Sequence, residues 1–208
     1  MERFALPAAQ IEGRSFEIIE SLLPSDLACT AQERQIIKRI VHTSGDPQVA
    51  SLVRIHPAAV DAGLTAIRIG ATIFTDVQMA AAGVNRRLTE KFDCRVQCAL
   101  TTEGVDLVAS RDGTTRATAA IRLLGAALDG GVVAIGNAPT ALLALLDLVD
   151  QGLVRPALVV GVPVGFVGAA EAKQELLIRS QIPSISIEGF RGGSTLAAAI
   201  VNALLMLA

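Results

Sequence analysis

The sequence predicts an α/β fold: a single-domain three-layer sandwich over residues 1–208, with a mostly parallel sheet flanked by helices on both faces. Three observations predict it. Short aliphatic runs alternate with helical patterns along the chain, the order that builds a parallel sheet under crossover helices. The aliphatic runs are continuous, as strands buried on both faces are. The composition is 51% hydrophobic but 3% aromatic, with no Trp and no Tyr, so the core is built from Ala, Val, Ile and Leu.

Arg14–Leu23 sets Phe16, Ile19, Leu22 and Leu23 near one helical face, and Pro24 and Ser25 stop it. A second helix begins at Thr30. Thr30 and Glu33 have the spacing of a capping box, in which each side chain satisfies an orphan amide. Ile36, Ile37, Ile40 and Val41 form its apolar stripe, and Thr43–Ser44–Gly45–Asp46–Pro47 ends it. Strands are expected at Leu52–Ile55, Ala71–Phe74, Val96–Leu100, Val132–Ile135, Ala157–Val160 and Ile185–Ile187. Helices are expected at Ala58–Arg68, Asp76–Ala82, Thr115–Ala127, Thr140–Asp150, Ala169–Ser180 and Ser194–Leu207. No linker, low-complexity stretch or fixed-period repeat divides the chain.

Charge and hydropathy narrow the function classes. A net charge of −2 lacks the basic face that broad nucleic-acid binding needs, so no nucleic-acid partner is expected. A local cluster of Arg still suits an anionic small molecule. The mean hydropathy of +0.52 raises the membrane question. The longest uncharged runs, Gly130–Leu146 and Gly192–Ala208, fall short of the roughly 20 apolar residues of a span. Met1–Gln10 does not read as a signal peptide. The expectation is a tightly packed cytoplasmic protein with no membrane segment. Cys29, Cys94 and Cys98 form no even disulfide framework and suit a reducing compartment. With only His42 and His56 to join them, no metal site is expected.

In sheets of this kind, ligands sit beyond the carboxyl ends of the strands. The Gly-rich segments fall there. Gly136–Asn137–Ala138–Pro139–Thr140 follows one strand. Gly136 lets backbone approach a ligand, Asn137 suits a helix cap, and Pro139 suits a first helical turn. Free amides at a helix start favour anions; the alternative is an ordinary strand-to-helix turn. Gly161–Val162–Pro163–Val164–Gly165–Phe166–Val167–Gly168 is a shaped apolar loop, suited to walling a flat ring or to packing alone. Gly189–Phe190–Arg191–Gly192–Gly193–Ser194–Thr195 has the make-up of a carboxylate or phosphate cradle, or of a capped helix with a solvated Arg. His42 closes the second helix. A histidine there suits proton exchange near neutral pH, or simply a surface or capping role. His56, before Pro57, reads as structural. Walker A, dinucleotide and nucleophile-elbow motifs are absent.

These segments combine with others in a fixed order. They are Arg14–Ser15–Phe16, Arg39–Ile40–Val41–His42–Thr43–Ser44–Gly45–Asp46, Asp76–Val77–Gln78–Met79 with Gly83–Val84, and Thr115–Arg116. Ala134–Leu142, Gly161–Ala169, Glu171, Lys173 and Gly192–Gly193–Ser194 complete the set. The whole resembles the precorrin-8X methylmutase family, which includes the cobalt-precorrin-8 enzymes, over about residues 11–205.

That resemblance implies an isomerase of cobalamin biosynthesis that moves a methyl group from ring carbon 11 to ring carbon 12 of a corrin precursor. The product is hydrogenobyrinic acid, or cobyrinic acid from the cobalt form, and neither a cofactor nor an external methyl donor is implied. It also implies a homodimer with the site near the subunit interface. By the same resemblance His42 is the catalytic proton donor and acceptor, and Ser15 and Arg39 bind substrate. Arg39, Arg116, Lys173 and Arg191 would pair with peripheral carboxylates. Backbone amides from Asn137 to Thr140, and from Gly192 to Ser194, would hold others. Two alternatives stand beside this reading. A non-catalytic corrinoid-binding carrier shares every binding feature. An S-adenosylmethionine methyltransferase requires an early Gly-rich turn, whereas the first strand here runs into His56–Pro57.

Overall fold

The computed structural model describes residues 7–208. All six expected strands form, with bounds that move by no more than two residues: β1 Val53–Ile55, β2 Ile73–Thr75, β3 Val96–Cys98, β4 Val132–Ile135, β5 Leu158–Gly161 and β6 Ser184–Ile187. They make one sheet in the order β1-β6-β5-β4-β2-β3. Every pairing is parallel except β1 with β6, where Val53 faces Ile187.

The helices are α1 Ala8–Leu22, α2 Ala31–Ser44, α3 Ala59–Arg68, α4 Gln78–Gly83, α5 Arg86–Lys91, α6 Val105–Arg111, α7 Arg116–Leu124, α8 Pro139–Asp150, α9 Ala169–Leu177 and α10 Ser194–Leu207. The capping box at Thr30 forms as the spacing predicts, and Gly45 ends α2 in the left-handed conformation. Helix α1 begins earlier than Arg14; residues 10–14 are exposed and carry no apolar stripe to mark them as helical in the sequence. Helices α5 and α6 escaped the sequence reading for a related reason. They are one- to two-turn elements, and α5 buries only Thr89.

Alternation along the strands builds two cores. Ile73, Val132, Ala134, Leu158, Val160 and Ile185 pack against α2, α3 and α10. Phe74, Val133, Ile135 and Val159 pack against α7, α8 and α9. Burying each large aliphatic side chain is worth about 1.5–3 kcal/mol. The high hydropathy has its source in α10, which is buried nearly all round between the sheet and α2. No helix among the described residues is long and apolar enough to cross a membrane. Cys94 and Cys98 are buried free thiols, and Cys29 is half-buried and also free. Because β2, β4, β5 and β6 run in parallel, the segments after each of them gather at one edge of the sheet.

Candidate active site

Helices α1 and α2 position the first cluster. Arg39, His42 and Thr43 stand three and four residues apart, so they share one face of α2. Ser15 Oγ lies 3.0 Å from His42 Nδ1. Phe16, on the next position of α1, stacks on the imidazole at 5.2 Å between ring centres and 14° between planes. The Arg39 guanidinium covers the Phe16 ring at 4.6 Å and donates to Glu12 Oε1 at 2.8 Å. The imidazole is thus held by a hydroxyl at one nitrogen and an aromatic face, yet it stays exposed. Its Nε2 has no hydrogen-bond partner among the described residues. A serine hydroxyl both donates and accepts. Donating to Nδ1, it leaves the ring proton on Nε2; accepting from Nδ1, it leaves Nε2 bare. The pair therefore supports proton movement in either direction at Nε2.

Two grooves meet beside this cluster, and Arg39 lines both. One, of about 570 Å³, is bordered by Thr43, Met79, Thr195 and Met206. The other, of about 400 Å³, is bordered by Phe16, Lys38 and Leu207.

At the carboxyl edge of the sheet, Asp76 follows β2 and is buried. Its carboxylate accepts from the backbone N–H groups of Gly136 at 3.1 Å, Asn137 at 2.7 Å and Ala138 at 2.8 Å. The anion-attracting start of α8 is therefore filled from inside the protein. Ala138 rather than Asn137 occupies the cap position, with no side-chain cap bond. The Thr140 hydroxyl lies 2.9 Å from that of Thr115, the cap of α7.

The loops after β5 and β6 form one unit. Gly165 N–H donates to the Phe190 carbonyl at 3.2 Å, and Gly193 N–H to the Val162 carbonyl at 2.9 Å. A Cβ at Gly192 would stand 2.2 Å from the Val162 carbonyl oxygen, and one at Gly136 would stand 2.7 Å from Ser194 Cα, so both contacts require glycine. Phe166 packs on Phe190 at 5.4 Å, while Phe166 and Val167 remain 85% and 90% exposed. Arg191 bridges to Asp46 Oδ2 at 3.1 Å, which ties this unit to the end of α2. Between them lies a third groove of about 410 Å³, bordered by Ser44, Asp46, Val164, Phe190 and Leu196. Beneath the unit, Lys173 is fully buried, and its Nζ donates to the Arg191 carbonyl at 2.7 Å. Burial pushes its ammonium down to about 8.

Comparison with known proteins decides the family. The profile of the precorrin-8X methylmutase family matches residues 10–207. The chain belongs to that family. It is 42% identical to the cobalt-precorrin-8 methylmutase of Priestia megaterium over 200 residues, covering 96% of this chain and 88% of that one. It is also 42% identical to the precorrin-8X methylmutase of Pseudomonas aeruginosa over 183 residues, covering 88% and 85%. The crystal structure of the Thermus thermophilus precorrin-8X methylmutase superposes with a TM-score of 0.86 at 39% identity, covering 95% and 96%. A chain of this methylmutase family is an isomerase of cobalamin biosynthesis.

Within the methylmutase fold, Ser15, Arg39 and His42 come together on α1 and α2. Arg191, Gly193 and Ser194 stand at the facing loop edge, and Arg191 reaches α2 through Asp46. Asn137, Thr140 and Arg116 lie at the same edge of the sheet but begin helices of the opposite layer. Arg116 is exposed and pairs with Asp106 at 2.6 Å. Three expectations change. Asn137 is not a cap, and the Asn137 and Ala138 amides are already bonded to Asp76. Gly193 N–H is spent on Val162, and neither Ser194 nor Thr195 caps α10. Lys173 is sealed beneath the loop and reaches no groove as placed. Sequence reasoning assigned no role to Phe16, Glu12, Asp46, Asp76 or Phe190. Asp76 carried one signal, a lone acid immediately after a short buried strand.

Proposed function

We propose that the chain takes a corrin precursor, precorrin-8X or its cobalt-loaded counterpart, as a homodimer in the cytoplasm. It moves the methyl group from ring carbon 11 to ring carbon 12, with His42 as the proton donor and acceptor. Residues 1–208 are read as one domain, which the continuous sheet supports. The observation that carries the reading is the Ser15–His42 pair, held by Phe16 on an exposed face between grooves.

The reaction is an isomerisation, so atoms balance within the ring. The bond from the methyl to carbon 11 breaks as the bond to carbon 12 forms. The migration requires the right ring tautomer, and proton exchange at His42 Nε2 supplies it. Phe16 and Ser15 keep the imidazole in one orientation, which saves the entropy of aligning it. Arg39 offers a guanidinium to a peripheral carboxylate once Glu12 releases it, and Arg191 offers another on exchange from Asp46. Arg116 is a third cation for the same arms, and Asn137 and Thr140 lie at the same edge of the sheet. Exposed Phe166, Val167 and Phe190 supply an apolar surface for the macrocycle.

The test is incubation of the purified protein with precorrin-8X, followed by the visible spectrum. Conversion to the hydrogenobyrinic acid spectrum is expected, and its loss in His42→Ala. If the metal-free ring binds without changing, the cobalt ring is tried. Tight binding of both without conversion would replace the enzyme with a corrinoid carrier.

A further inference from the structure

We propose that Lys173 is a positioning residue for ring binding: from its buried site it pins the Phe190–Arg191 segment, and so sets the apolar wall and the Arg191–Asp46 bridge that face the substrate. The inference rests on the functional reading above, since it assumes that the ring meets this edge.

The geometry points this way from several sides. Lys173 has no exposed surface and takes part in no ion pair among the described residues. Burying an ammonium without a carboxylate is costly, so a retained buried lysine calls for a specific partner. Its partner here is one backbone carbonyl, that of Arg191, at 2.7 Å. That carbonyl directly follows two residues whose side chains face outward. Phe190 packs at a tilt on Phe166, and the Arg191 side chain reaches Asp46 at 3.1 Å. Besides the Asp46 bridge, the loop that carries the segment has two backbone bonds to the neighbouring loop, from Gly165 N–H to the Phe190 carbonyl and from Gly193 N–H to the Val162 carbonyl. It has no regular secondary structure of its own between β6 and α10. A charged donor beneath it is a stronger tie on its backbone than either of these neutral bonds, because hydrogen bonds from an ionised group are roughly twice as strong as neutral ones. Lys173 borders none of the three grooves, so its influence on the ring passes through Phe190 and Arg191, which line the third.

The experiment compares wild type, Lys173→Met and Phe190→Ala. Methionine keeps the apolar stem and removes the donor. Two readouts are taken: hydrogen exchange at the Gly165 and Gly193 amides, and steady-state turnover of whichever ring the wild type converts. In Lys173→Met both amides are expected to exchange at least tenfold faster while amides of β4 and β5 do not change. KM is expected to rise about tenfold, with kcat within threefold. Phe190→Ala, a change at a half-exposed side chain that leaves the fold intact, is expected to raise KM by several-fold. Unchanged exchange in Lys173→Met overturns the pin. Faster exchange with unchanged KM overturns its role in ring binding. So does an unchanged KM in Phe190→Ala, which needs no substitution in the core. A wild type that converts neither ring defeats the functional reading instead, and the exchange data then decide the pin alone.

Discussion

Two helix ends approach the carboxyl edge of the sheet, and they have opposite fates. The start of α8 is closed: three of its amides converge on the buried carboxylate of Asp76. The end of α2 is open: His42 is held at Nδ1 and by Phe16, with Nε2 left unbonded among the described residues. Both looked like binding features in the sequence. Burial separates them. A polar group taken out of water must find a partner inside the protein or lose about 1–3 kcal/mol, so a buried anion cradle fills itself. An exposed group is satisfied by water and can exchange that water for substrate. The comparison predicts that the open end governs rate and the closed end governs stability.

The largest effect is expected at the open end. His42→Ala removes the proton carrier, and turnover of the ring should fall by about 10²–10⁴-fold. Because His42 is exposed, the urea midpoint should stay near that of the wild type. A variant that retains full turnover would take His42 out of the mechanism. One that loses stability along with activity would erase the contrast between the two ends.

Asp76→Ala is the matching cut at the closed end. It strands three backbone donors that now meet a charged acceptor. Hydrogen bonds to a charged group contribute about 1.5–3 kcal/mol each, and they are not additive, so a total loss of about 4 kcal/mol is expected. Urea unfolding measures it. Asp76→Asn keeps one carbonyl oxygen and should lose about half as much. If Asp76→Ala instead keeps its stability and gains affinity for inorganic phosphate, the cradle was available to ligands after all.

The same distinction explains what the sequence could and could not reveal. Strands were legible because each is a continuous aliphatic run, and that pattern follows from burial on both faces. The capping box at Thr30 was legible because its two partners lie three residues apart in one segment. The pairing of Asp76 with Gly136–Ala138 was not, since it joins residues about sixty positions apart through strand order. Lys173 illustrates the limit from the other side. As a residue type it suggested a cation for substrate carboxylates, and only the packing of α9 under the β6 loop shows it sealed. Ser15, Arg39 and His42 were marked by family resemblance. Their stacking through Phe16 required α1 and α2 to pack in one register, which no local pattern specifies.

A third, smaller effect concerns a closed site that carries charge. Folded Lys173 loses its proton near 8, against an ordinary value of 10.5. Below pH 8 both states carry the proton, and the folded chain bears the whole cost of the buried charge. Between the two values the unfolded chain binds the extra proton, so this group makes stability rise with pH. Above 10.5 the rise stops. The gap corresponds to about 3 kcal/mol at most. Subtracting the Lys173→Met profile isolates this contribution, and the chain has no Tyr to overlap it. A difference that is flat from pH 8 to 10.5 would mean that the ammonium is solvated.

The smallest effect sharpens the open end itself. Ser15 does not move the methyl group, and it meets His42 through one hydrogen bond of 3.0 Å. Removing it in Ser15→Ala leaves Phe16 to hold the ring plane, but nothing to favour either tautomer. A single hydrogen bond is worth about 1 kcal/mol, so kcat should fall about fivefold with little change in stability. Ser15→Thr keeps the hydroxyl and should restore most of the rate. If Ser15→Ala is as damaging as His42→Ala, the hydroxyl carries the proton onward, and the open end is a two-residue relay. If Ser15→Ala raises KM alone, Ser15 belongs to substrate binding, as the family resemblance implies, and Phe16 suffices to orient the imidazole.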